Sequence, residues 1–71
     1  MILFKNLYPL LNGTCFIRLG YDGNDARYNF FGNNVSECEC PRIRRLFKKK
    51  VIMVDLNERP IRICLSEVDY L

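Results

Sequence analysis

The chain has 71 residues, 49% of them hydrophobic, and a net charge of +3. That length predicts one domain, and that apolar content argues against a disordered chain. No apolar run approaches the roughly 20 residues needed to span a bilayer as a helix.

Leu3, Leu7, Leu10 and Leu11 recur at helical spacing, with Phe4 and Tyr8 on an adjoining stripe. The spacing predicts a short helix over residues 4–12, with Asn6 as its N-cap, Pro9 in the first turn and Gly13 just past its end. Residues 14–19 then alternate, with Cys15, Ile17 and Leu19 on one face and Thr14, Phe16 and Arg18 on the other, which predicts a strand. Residues 20–25, Gly-Tyr-Asp-Gly-Asn-Asp, are rich in turn formers, and Asp22-Gly23 suits positive φ angles. Residues 26–31 alternate again and should close a hairpin on the first strand. Gly32, Asn33 and Asn34 end that strand. Residues 35–40 read either as a short edge strand or as a loop.

Pro41 opens a second short helix in which Ile43, Leu46 and Phe47 fall at i, i+3, i+4 and should face the sheet. Arg42, Arg44, Arg45 and Lys48 should face water. Val51, Ile52, Met53 and Val54 form an unbroken, β-branched-rich run. Such a run predicts a strand covered on both faces, inside the sheet. Ile61, Ile63 and Leu65 alternate with Arg62 and Cys64, which predicts a partner strand nearer an edge. Residues 66–71 read as a polar tail against which Val68, Tyr70 and Leu71 dock loosely. The expected core is Leu7, Ile17, Phe30, Leu46, Ile52, Val54 and Ile63. The predicted fold class is α+β: a small, mainly antiparallel four-stranded sheet with an N-terminal helix and a short middle helix. A small open β-barrel is the alternative.

The chain lacks several catalytic parts. It has no histidine, the commonest general base, no Gly-x-Ser-x-Gly frame and no glycine-rich phosphate loop. These gaps predict a protein that is not an enzyme and needs no cofactor. Four cysteines, Cys15, Cys38, Cys40 and Cys64, raise the question of zinc. Structural zinc sites take ligands in closely spaced pairs, and Cys38-x-Cys40 has no second pair to join it. We therefore expect free thiols, packed as small apolar groups in a reducing compartment, and no metal site. The apolar start at residues 1–4 is broken by Lys5 and Asn6 before a signal-peptide core forms, so the expected location is the cytoplasm.

The feature with a functional slant is the run at residues 42–50, RIRRLFKKK, with six positive charges and no negative one. Subtracting those six from eleven basic residues leaves five, against eight acidic residues, in the rest of the chain. The basic character is thus one patch. It reads either as a solvated helix face that favours the helix dipole or as an anion site that relieves the mutual repulsion of the charges. Arg42, Arg44 and Arg45 offer planar donor forks for phosphate or carboxylate, and Lys48, Lys49 and Lys50 offer point charges. Tyr21, Tyr28 and Phe31 are candidates to stack on a base, with core packing the competing role for the last two.

The pattern of residues 7–11, Tyr21-Asp22-Gly23-Asn24, residues 28–32, Val35-Ser36-Glu37 and residues 46–54 resembles small phage- and prophage-encoded proteins of gut Firmicutes. The basic stretch at residues 42–50 departs from those proteins, which are more acidic there. The resemblance implies a phage origin, hence the host-cell cytoplasm, more than a function; for a non-enzymatic protein of that origin, host interference is the natural class. Three versions follow. One is a homo-oligomeric sponge that sequesters an anionic nucleotide immune signal. A second is an inhibitor of a host defence protein or nuclease, like an anti-CRISPR protein. The third is a small nucleic-acid-binding accessory protein.

Overall fold

The computed structural model describes residues 1–31 and 41–70. The expected ending of the second strand at Gly32-Asn33-Asn34, the strand-or-loop question at residues 35–40 and the docking of Leu71 lie outside the described residues.

The N-terminal helix is shorter than its leucine spacing predicts. It makes one α-turn, α1 (Phe4–Leu7), and tightens into a 3-10 turn over Tyr8–Leu10. Pro9 explains the change, because it removes the backbone donor that would continue an α-helix past the first turn. Asn6 is not the N-cap but sits within the helix, where its Oδ1 accepts from the Leu3 N–H at 3.2 Å. The chain is extended by Leu11 and enters β1 (Asn12–Leu19) at once. Gly13 is therefore a strand residue, though its φ of 88° still requires the freedom that only glycine has.

β1 pairs antiparallel with β2 (Ala26–Phe31), from Asn12 opposite Phe31 to Ile17 opposite Ala26, as the alternation predicts. The left-handed residue of the connecting turn is Gly20, at φ 73°, rather than Asp22 or Gly23. Gly23 is needed for another reason: a methyl group there would collide with the Leu19 carbonyl oxygen.

α2 (Pro41–Arg44) places Ile43 and Leu46 in the core and leaves Arg42, Arg44, Arg45 and Lys48 exposed, as the i, i+3, i+4 spacing predicts. The hairpin of β3 (Lys49–Asp55) and β4 (Arg62–Asp69) follows. The residues expected to form a loose tail from Ser66 onward instead extend β4 as far as Asp69, which pairs with Lys49.

The sheet is open, four-stranded and ordered β2-β1-β4-β3, so the barrel alternative is not adopted. Its central pair, β1 and β4, runs parallel, with Phe16 opposite Arg62 and Leu19 opposite Leu65, while the flanking pairs are antiparallel. The expected places of the last two strands are therefore exchanged: β4 is central and β3 lies at an edge. Ile63, Cys64 and Leu65 are three consecutive residues at 0% exposure, which only a strand covered on both faces can achieve. In β3, Met53 and Val54 remain 37% and 39% exposed. The N-terminus shields the start of that edge, where the Val51 N–H donates to the Ile2 carbonyl at 2.8 Å.

The core lies between the helices and the Ile17–Ile63–Leu65 face of the sheet. Of the expected set, Ile17, Phe30, Leu46 and Ile63 are buried, and Leu7 packs against them half-buried. Ile52 and Val54 are not buried, because each belongs to the edge strand. Aromatic rings take their place. Phe4 is fully buried and lies 6.3 Å from Phe30 and 6.1 Å from Tyr8 between ring centroids, with Phe47 closing the cluster 5.3 Å from Tyr8. Aromatics contribute the largest buried area per residue, and Phe4 and Tyr8 share the interior with Leu11, which is buried, and Leu7, which is half-buried. Leu10 is left 78% exposed.

Candidate functional site

Five of the six cations of residues 42–50 converge on one place. Arg42, Arg44, Arg45, Lys48 and Lys49 line an open groove of about 850 Å³ between α2 and the β1–β4 end of the sheet. Its apolar surface comes from Leu19 and Tyr28 on the β1–β2 hairpin and from Leu46 and Phe47 after α2. Lys5 joins from α1, drawn in because the Lys5 N–H donates to the Phe47 carbonyl at 3.2 Å. A lone lysine in a leucine-rich turn carries no sign of this in the sequence. One carboxylate, that of Asp69, also lines the groove.

The cations are not equivalent. Lys49 is held by the fold: its Nζ lies 3.2 Å from Asp69 Oδ1 and donates to the Glu67 carbonyl at 2.9 Å, with the side chain 13% exposed. Lys50 does not line the groove; its ammonium lies 5.6 Å from the centre of the Tyr70 ring, within cation–π range. Strand alternation explains the split, since neighbouring residues of β3 point to opposite faces. Arg42, Arg44, Arg45 and Lys48 are exposed and make no ion pair among the described residues. Tyr21 is separated from the groove as well. It is 60% exposed and lines a different hollow, with Ile52, Ser66 and Val68. Tyr28 does line the groove, whereas the Phe31 side chain lies outside the described residues.

A second set of charges shows what pairing looks like in this protein. On the face of the sheet opposite the core, Asp25 receives two guanidinium groups. Arg62 donates from Nε at 2.9 Å and Nη2 at 3.0 Å, and Arg18 from Nε at 3.0 Å and Nη2 at 3.3 Å. Arg62 Nη1 also lies 3.5 Å from Glu58 and 3.8 Å from Asp55. The Arg62 hydrogen bonds, followed by those of Arg18, hold the Asp25 carboxyl below the usual carboxylate range. In return, Asp25 raises the Arg62 pKa. This network joins the β1–β2 turn to the β3–β4 hairpin, so its arginines are structural and leave no donor set free for a ligand.

The two described cysteines contribute no exposed chemistry. Cys15 and Cys64 are buried free thiols, and burial pushes the Cys15 pKa up. Cys38 and Cys40 lie outside the described residues. Among those described, no three metal-ligating side chains cluster, and no helix is long and apolar enough to cross a membrane.

The chain was compared with family models, curated proteins and solved structures, and none of them matches.

Proposed function

We propose that this chain is a non-catalytic binding protein of phage type that sequesters an anionic nucleotide, such as an immune signal of the host, as a homo-oligomer. The observation that carries the reading is the groove. Five cations without an ion-pair partner among the described residues, Lys5, Arg42, Arg44, Arg45 and Lys48, surround an apolar floor, while Arg18 and Arg62, on the other face of the sheet, are fully paired. Packing like charges around one groove costs self-repulsion, and a bound phosphate offsets that cost. Guanidinium forks at Arg42, Arg44 and Arg45 suit bidentate phosphate contacts. The volume of about 850 Å³ falls in the range of small-molecule sites, roughly 300–1,000 Å³. A binding role rather than a catalytic one is supported by the absence of histidine from the sequence.

Association is supported by the surface. Met1, Ile2, Leu10, Leu56 and Val68 are each more than half exposed in a chain of 71 residues. Small chains commonly bury such groups by forming symmetric assemblies. Neighbouring subunits would then shield the groove from water and strengthen its charge–charge attraction.

The test combines sedimentation with thermal melting. We expect a dimer or higher oligomer at micromolar concentration, and a rise in melting temperature with at least one member of a panel of linear and cyclic nucleotides. The double substitution Arg44→Glu/Arg45→Glu should abolish that rise while leaving the circular dichroism spectrum unchanged. A monomer with no nucleotide response overturns the reading.

A further inference from the structure

The groove is not a uniform basic surface. It adjoins a smaller pocket of about 230 Å³ lined by Ile17, Leu19, Ala26, Tyr28, Leu46 and the polar residue Asn24. Leu19, Tyr28 and Leu46 line both spaces, so groove and pocket lie side by side. The pocket is apolar for a reason rooted in the fold. It lies at the turn end of the β1–β2 hairpin, beyond the last paired residues, Ile17 and Ala26, and the buried Leu46 after α2 forms its far wall. Ala26 contributes only a methyl group, and that leaves the space open. No cation of residues 42–50 lines it.

We propose that this pocket is the seat of a nucleobase and that the groove beside it holds the phosphate of the same molecule. The proposal rests on the groove being an anion site, as argued above, and adds what the other end of the ligand must be. Inorganic polyphosphate or an acidic peptide would use the cations and leave the apolar pocket empty. A nucleotide uses both, because it joins a charged phosphate to a flat, weakly polar ring. Tyr28 offers an aromatic surface to such a ring, a contact that tolerates any base. The Asn24 amide both donates and accepts, so it can meet the polar edge of a base. Charge complementarity sets the direction, with phosphate toward Arg44, Arg45 and Lys48 and base toward Ala26.

The experiment titrates AMP, GMP, CMP and UMP beside ribose 5-phosphate, which has the same phosphate and sugar but no base, using isothermal titration calorimetry on the full chain. At least one mononucleotide should bind ten times or more tightly than ribose 5-phosphate. The substitution Ala26→Leu fills the pocket from an exposed strand position. It should reduce the best mononucleotide to the level of ribose 5-phosphate and leave ribose 5-phosphate itself unchanged. Saturation-transfer NMR should place the strongest signals on the base protons. If ribose 5-phosphate binds as well as every mononucleotide, the base pocket is wrong and the anion groove stands. If Ala26→Leu folds and binds the mononucleotide as tightly as the parent, the base lies elsewhere. If neither class binds, the groove reading fails and takes this proposal with it.

Discussion

β3 and β4 form one hairpin, yet their sequences and their positions in the sheet disagree. β3 carries four consecutive apolar residues, Val51, Ile52, Met53 and Val54, and lies at an edge. β4 begins with an arginine, carries Ser66 and Glu67 and lies at the centre. The difference shows that a central place depends on what covers each face, and apolar content is a poor guide to that. Arg62 can occupy a central strand because Asp25, Asp55 and Glu58 neutralise it at the sheet's outer face. Cys64, read as the polar side of an alternation, acts as a small hydrophobe and is fully buried between Arg18 and Met53 in the register. Meanwhile β3 gains from its apolar run only half-burial against the core and a partial cover from the N-terminus.

The largest expected effect is on β4. Ile63→Ala removes a fully buried side chain from the central strand and should cost about 2–5 kcal/mol in urea denaturation. A cost below about 1 kcal/mol would break the assignment of β4 to the centre.

Next come the matching truncations in β3. Val54→Ala, at a position 39% exposed in the parent, should cost less than about 1 kcal/mol, and Ile52→Ala at a half-buried bulge should fall well short of Ile63→Ala. If either equals Ile63→Ala, the two strands are equivalent and the comparison fails.

The smallest effect is expected from the network that allows an arginine in β4, and it depends on pH. The folded-state pKa of Asp25 is depressed, chiefly by Arg62, so its ionised form favours the folded state. That contribution is fully present above the ordinary carboxylate pKa of about 3.9 and is lost as pH falls through the lower folded value. Asp25→Asn should lower the melting temperature modestly at neutral pH. Its deficit relative to the parent should begin to shrink as the pH is taken below about 4 and disappear below the depressed folded value, where both chains carry a neutral side chain at this position. A deficit that stays constant down to the acid limit would mean that the charge at Asp25 contributes nothing.

The basic groove follows the same logic of coverage. Six cations in nine residues were legible in the sequence, and so was the exposure of Arg42, Arg44, Arg45 and Lys48. Lys49 and Lys50 were not separable from them by charge alone. Strand alternation sends one to Asp69, the last residue of β4, and the other to the Tyr70 ring just beyond it. Tyr21 was grouped with the site because aromatic residues suit bases, but the turn after β1 carries it to another hollow. Lys5 and Asp69 entered the groove from opposite ends of the chain, and neither carries a local mark.

What the sequence determined by itself was local: four strands in the right order along the chain, a second short helix with its apolar and basic faces, and the existence of one concentrated positive patch. Periodicity and turn chemistry are properties of neighbouring residues, so they survive without a partner. What the tertiary structure decided was every choice among distant partners. The parallel pairing of β1 with β4 set the strand order, the aromatic cluster took the place expected for Ile52 and Val54 in the core, and Asp25 and Asp69 determined which cations were already neutralised. Burial and ion pairing are energies of contact between segments remote in the chain, and a single segment carries no record of which of its faces another will cover.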